Sequence, residues 1–330
     1  MPGAATVPGA AAIRAATVPG AAAIRAAGAG RPDIVILDGG LATELAARGH
    51  DLTHRLWSAR LLMDEPQAIE DVHLAYFQAG ARVATTASYQ ATIPGFATAG
   101  MDRAAALGAI RRSVELAGRA ADRHASLAGL DRTSLVVAGS VGPYGAMLAD
   151  GSEYRGDYDP GRAVLRDFHA PRMEALLEAG ADLLALETIP TVREAEVLAG
   201  LVIEFGARAW LSFQCRDGRS TAAGEPIAEA MASATGPAFV AVGVNCTAPR
   251  HLVALLEAAA SATDRPLIAY PNGGDRWDAQ ARAWVSDAPH GPPLDDAPDW
   301  AAAGAKWIGG CCGTGPADIR SLATLLDDSR

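Results

Sequence analysis

Eight short apolar runs recur along this chain, each separated from the next by a stretch long enough for at least one helix. They fall at residues 34–37, 82–86, 135–138, 182–186, 208–213, 239–244, 267–270 and 306–308. Runs of this length, rich in branched apolar residues, read as strands covered on both faces. The intervening segments have helical spacing. Ile69, Val72 and Tyr76 share one helical face. Asp64 with Glu65-Pro66, and Asp159-Pro160, supply helix-start chemistry. Pro171 falls inside the second of these helices and is expected to kink it. Ala79-Gly80-Ala81, Ala179-Gly180-Ala181, Phe205-Gly206-Ala207 and Ala303-Gly304-Ala305 each join a helix to a strand. Glycine suits that joint because it enters the left-handed conformation without steric cost. Eight strand–helix units predict a (β/α)8 TIM barrel, a single domain over residues 33–330. A doubly wound open sheet is the alternative, but it usually has fewer strands. No glycine-rich dinucleotide fingerprint follows the first run.

The first 32 residues are different. AATVPGAAAIR occurs twice in succession, from Ala4 and again from Ala15, with Pro and Gly in each period. Such a tract cannot build a core and predicts a disordered, duplicated tail outside the domain. The net charge of -10 argues against non-specific binding to nucleic acid or to an anionic membrane surface. No apolar run approaches the ~20 residues that span a bilayer. Four cysteines at irregular spacing are not a disulfide framework, so a reducing cytoplasmic location is expected.

Three of those cysteines carry the chemistry. Cys311 and Cys312 are adjacent in Gly309-Gly310-Cys311-Cys312-Gly313, and Cys246 ends Val242-Gly243-Val244-Asn245-Cys246. Disulfide geometry disfavours bonding between chain neighbours. In a barrel the ends of strands six and eight meet at one mouth. Thiolates suit zinc, and three protein ligands leave a fourth position for a reactant. The bland alternative is that each cysteine is a small buried hydrophobe. Cys215, after strand five, is a conceivable fourth ligand but more simply structural. His50, His54 and His73 read as surface residues. The chain has only two asparagines, Asn245 and Asn272, each beside a motif. Each either serves a site or supplies a tight-turn conformation.

Taken in order, the strand-end motifs resemble the homocysteine S-methyltransferases from about residue 34 to the C-terminus. They are Leu37-Asp38-Gly39-Gly40, Thr86-Ala87-Ser88-Tyr89-Gln90-Ala91, Gly139-Ser140-Val141-Gly142-Pro143, Glu187-Thr188, Gly243-Val244-Asn245-Cys246, Tyr270-Pro271-Asn272 and Gly309-Gly310-Cys311-Cys312. The stretch from Tyr144 to Gly156 is most similar to the branch that uses S-methylmethionine or S-adenosylmethionine, rather than betaine. The resemblance implies a Zn2+ site of Cys246, Cys311 and Cys312. It implies that Asp38 and Glu187 hold the substrate's amino group, and that Gly39, Thr86 and Asn245 belong to the substrate-binding set. L-homocysteine and a sulfonium methyl donor are the implied partners, and no catalytic side chain is implied beyond the metal-activated substrate thiol. Gly313 stands where many relatives have Arg, and Gly273-Gly274-Asp275 where many have Ser-Gly-Glu. A zinc hydrolase, with water at the open position, would more often use His or carboxylate ligands. A thiol redox protein is the remaining alternative, as is transfer to a selenol.

Overall fold

Strand β1 (Val35–Ile36) is only two residues long, yet it closes the sheet. It is followed by β2 (Val83–Thr85), β3 (Val136–Val141), β4 (Leu183–Ile189), β5 (Ala209–Phe213), β6 (Phe239–Asn245) and β7 (Leu267–Tyr270). A short antiparallel hairpin of β8 (Arg276–Asp278) and β9 (Ala283–Val285) precedes β10 (Ala305–Ile308). The computed structural model describes residues 34–52, 58–274, 276–278, 283–285 and 294–328. The tail expected over residues 1–32 lies outside them, as does His54.

The parallel order is β1-β10-β7-β6-β5-β4-β3-β2. A parallel bridge between Leu37 and Val83, with the Arg82 amide donating to the Ile36 carbonyl at 2.8 Å, joins the two ends. The (β/α)8 barrel expected from the eight runs is therefore the fold. The hairpin was not foreseen: Trp277-Asp278 lie on β8.

Two apolar layers form because strand side chains alternate between faces. Leu37, Val83, Val136, Ala138, Leu183, Ala185, Trp210, Ala241, Ile268 and Trp307 fill the inside of the barrel. Their neighbours one residue along pack outward against the helices. Trp210 meets Tyr270 and Trp307 edge-on, with ring centroids 6.2 and 6.0 Å apart. Gly243 has no room for a side chain, since a Cβ there would lie 2.0 Å from the Ile268 carbonyl oxygen. The helix-to-strand joints behave as expected, with φ of +111° at Gly80, +91° at Gly180, +60° at Gly206 and +107° at Gly304.

Several local expectations are corrected. The helix Pro66–Gln78 takes Glu65, not Asp64, as its cap, because Asp64 ends the preceding helix Ser58–Asp64. The helix after Asp159-Pro160 begins at Arg162, and Asp159 pairs with Arg193 instead. His73 is not a surface residue; it is fully buried on the same helix as Val72 and Tyr76, and burial lowers its pKa to about 4. No helix among the described residues is long and apolar enough to cross a membrane.

Candidate active site

The inward-facing rows end in a polar layer. Val136, Ala138 and Ser140 alternate along β3, and Leu183, Ala185 and Glu187 along β4. Ile268 leads to Tyr270, and Ala241 and Gly243 lead to Asn245. The two-residue period that buries the apolar members thus delivers Ser140, Glu187, Asn245 and Tyr270 to the carboxyl ends of the strands. They sit at or beneath a cavity that is open at its mouth.

Asp38 and Glu187 both line this cavity and are almost wholly buried. Thr85 donates to both Asp38 oxygens, its amide to Oδ2 at 2.7 Å and its hydroxyl to Oδ1 at 2.9 Å. Burial pushes the Asp38 pKa up to about 8, with the Glu187 charge adding and the Thr85 bonds opposing. Ser140 Oγ donates to Glu187 Oε1, and Tyr270 contributes a hydroxyl 3.3 Å from Oε2. Burial raises Glu187 to about 7 against those two bonds. Two carboxyls kept costly to ionise in one cavity can receive a cation, whose charge would relieve both.

The three expected cysteines converge. Cys246 Sγ lies 3.8 Å from Cys312 Sγ, and the sulfurs of Cys246, Cys311 and Cys312 all lie within 4.8 Å of one another. Tetrahedral zinc with Zn–S of about 2.3 Å separates its sulfurs by about 3.8 Å, so the donor set and its spacing fit the ion. All three residues line the cavity. Cys215 is outside the cluster, buried beside Phe213, whose carbonyl its sulfur contacts at 4.0 Å. The vicinal pair is held from two sides: Cys311 donates its amide to the Pro271 carbonyl, and the Gly273 amide donates to the Cys312 carbonyl. Gly310 has to be glycine, since a Cβ there would sit 2.1 Å from Thr314 Oγ1.

Two residues of this rim hold left-handed backbone. Thr188 has φ of +60° and Cys246 has φ of +47°. For a β-branched residue such a value is a true outlier, and strain of this kind persists only where surrounding bonds enforce it. Asn245 enforces it here. Its Oδ1 accepts from the Thr188 amide at 2.7 Å and from Ser212 Oγ at 2.8 Å, and its Nδ2 donates to Thr188 Oγ1 at 2.8 Å. Asn272 Nδ2 donates to the Cys246 carbonyl at 3.2 Å. Neither asparagine has left-handed backbone itself, although Asn272 Oδ1 closes a turn by accepting from the Gly274 amide at 2.9 Å. Asn245 is fully buried and lies off the cavity wall, and its side-chain bonds go to Thr188 and Ser212.

Gly39 and Thr86 do line the cavity. A Cβ on Gly39 would come within 2.9 Å of Thr314 and Tyr76. The Thr86 hydroxyl is occupied by the scaffold: it accepts from the Ser140 amide at 2.9 Å and bonds to Ser88 Oγ at 2.7 Å. Ser88 passes its own proton to the Ser140 carbonyl, so Thr86 is the donor to Ser88. Tyr89, Ser140, Tyr154 and Tyr270 also line the cavity. Sequence alone assigned them no role; the signal was membership of strand-end motifs for Tyr89, Ser140 and Tyr270, and of the stretch 144–156 for Tyr154.

The whole of residues 35–326 matches the family model described as "Homocysteine S-methyltransferase". The chain is 50% identical over 296 residues to a homocysteine S-methyltransferase of Escherichia coli (strain K12), covering 88% of this chain and 95% of that one. It is 44% identical over 294 residues to the homocysteine S-methyltransferase YbgG of Bacillus subtilis (strain 168), covering 88% and 93%. The crystal structure of the metallated form of the homocysteine methyltransferase MmuM from Escherichia coli superposes with a TM-score of 0.82 at 46% identity, covering 92% of this chain and 99% of that one. With its barrel, its paired acids and its three convergent sulfurs, this chain belongs to the homocysteine S-methyltransferase family.

Proposed function

We propose that this enzyme transfers a methyl group from a sulfonium donor, S-methylmethionine or S-adenosylmethionine, to the thiol of L-homocysteine, giving methionine. The observation that carries the reading is one cavity lined both by two buried carboxyls and by three clustered sulfurs. Asp38 and Glu187 receive the substrate ammonium, which restores both to their charged forms. Gly39 and Thr86 shape the pocket around the amino acid. Cys246, Cys311 and Cys312 would hold zinc. Zinc bound there supplies a Lewis acid, which keeps an incoming thiol in its thiolate form near neutral pH.

The acceptor sulfur then uses a lone pair to form a new bond to the methyl carbon. The old bond to the donor sulfur breaks, and its electron pair leaves with that sulfur as a neutral thioether. No side chain needs to move a proton in this step. The protein's part is alignment, which supplies ~7–11 kcal/mol of a barrier in well-oriented systems. We also infer a cytoplasmic location, where reducing conditions keep the sulfur cluster from oxidising.

The test is a donor panel. Purified, zinc-loaded protein with homocysteine should form methionine from S-methylmethionine or S-adenosylmethionine, read by mass spectrometry. Turnover with betaine alone would overturn the donor class, and methionine from none of them would overturn the reading.

A further inference from the structure

The excursion after β3, residues 142–161, carries Tyr154 to the mouth, with its hydroxyl 4.0 Å from Cys246 Sγ. Tyr154 and Tyr89 are cavity walls on the side of Cys246. Behind them lies a buried charged chain that no step above uses. Glu194, fully buried in the first turn of helix Val192–Glu204, accepts from the Tyr144 amide at 2.6 Å and from the Tyr158 hydroxyl at 2.5 Å. Both ends of the excursion are thereby tied to one carboxylate. His169 Nε2 meets Glu194 Oε1 at 2.7 Å, and Arg172 Nη2 meets His169 Nδ1 at 2.7 Å. Arginine can only donate, so Nδ1 is the acceptor and the histidine proton sits on Nε2, donated to Glu194. Arg172, 1% exposed, also donates to the Gly142 carbonyl and reaches the Tyr89 carbonyl at 3.5 Å.

The chain is thus one positive and one negative charge joined by a neutral imidazole. Its far contacts are backbone of residues 89, 142 and 144 and the side chain of Tyr158. None of its three members lines the cavity. Buried ion pairs give little stability over apolar packing of the same volume, because desolvation offsets their attraction. What this one supplies is a fixed place for the two loops that bear Tyr89 and Tyr154. Aromatic faces attract a cation, and the donor is the cationic reactant.

We propose that Arg172, His169 and Glu194 are positioning residues for the methyl donor, fixing the Tyr89 and Tyr154 wall against which a sulfonium docks. The proposal rests on the sulfonium reading above, and none of the three residues lines the cavity that holds the acids and the sulfurs.

The test uses the full-length, zinc-loaded chain and two variants, Glu194→Gln and Tyr158→Phe. Zinc per chain, the KM for homocysteine, the KM for the donor, kcat, and amide exchange across 144–158 are measured for each. The donor KM should rise about tenfold in Glu194→Gln and about threefold in Tyr158→Phe, the scale of a buried hydrogen bond. Zinc content and homocysteine KM should stay within about twofold of the parent, a split that mere destabilisation does not produce. Exchange across 144–158 should quicken. An unchanged donor KM, or an equal rise in both KM values, overturns the proposal. If Glu194→Gln does not fold, Tyr158→Phe, which removes one hydroxyl, decides. A parent enzyme that accepts no sulfonium compound overturns the underlying functional reading, a result separable from failure of the clamp alone.

Discussion

Asn245 holds the backbone amide of Thr188 at 2.7 Å, across the gap between β6 and β4. The residue beyond Glu187 and the residue beyond Asn245 itself are two non-glycine rim positions with left-handed backbone. One side-chain amide therefore sets the approach of an acid that lines the cavity and of a sulfur in the cluster. Asn245→Ala should remove three buried hydrogen bonds and cost about 2–4 kcal/mol of stability. In the fraction that folds, turnover should fall by at least about tenfold. Thermal unfolding and steady-state kinetics check the two effects separately. A variant with native stability and native turnover would show that the strained rim does not need this bond.

The sulfur cluster and Cys215 should separate cleanly. Cys311→Ala should bring bound zinc below about one tenth per chain and abolish turnover, because two sulfurs make a poor site. Cys215→Ala should leave both intact apart from a packing loss of about 1 kcal/mol. Metal analysis by mass spectrometry after dialysis decides. Full zinc occupancy in Cys311→Ala would remove that residue from the ligand set.

Homocysteine capture should depend on pH. Below about 7 to 8 the free-site carboxyls of Glu187 and Asp38 hold protons and cannot pair with an ammonium. The kcat/KM for homocysteine should therefore fall as pH drops through about 7, by up to about tenfold per unit for each proton that must leave. Asp38→Asn should lower kcat/KM at every pH and make the profile shallower. A flat profile between pH 6 and 8 would mean that these groups are already ionised.

Stability of the ligand-free protein should run the opposite way. The unfolded chain releases the Glu187 proton near the ordinary carboxyl value of 4.5, whereas the folded chain keeps it up to about 7. Between those values the folded state binds more protons, so stability falls as pH rises and levels off above about 7. The cost at pH 8 is on the order of 3 kcal/mol. Glu187→Gln should raise the unfolding temperature at pH 8, do little at pH 4.5, and raise the homocysteine KM. Equal unfolding temperatures at pH 8 would contradict the burial cost.

Strand periodicity made the barrel and the three sulfurs legible, because both depend on spacing along the chain. The eight apolar runs lie on the eight barrel strands, and cysteines at the ends of β6 and β10 meet at one mouth. The role of Asn245 was not legible. A residue at a strand end faces either the cavity or the neighbouring rim, and only the positions of Thr188 and Ser212 decide which. His73 escaped for a related reason. Helical spacing puts residue 73 next to the buried face of Ile69, Val72 and Tyr76, but a polar side chain there reads as exposed until the packing helix is known. The Arg172–His169–Glu194 chain joins two helices to two loops, and no local pattern announces it.

The closing bridge between Leu37 and Val83 has a consequence for what position 38 can become. Asp38 stands directly beyond that bridge, and its two oxygens latch onto Thr85 across the join while facing the cavity. One carboxylate is both the hasp of the cylinder and the seat of the ligand. A longer acid would overshoot the latch, and an uncharged mimic would keep the hasp but surrender the seat. Drift at this position is hemmed in from two directions, and redesign of substrate choice is better begun elsewhere on the wall.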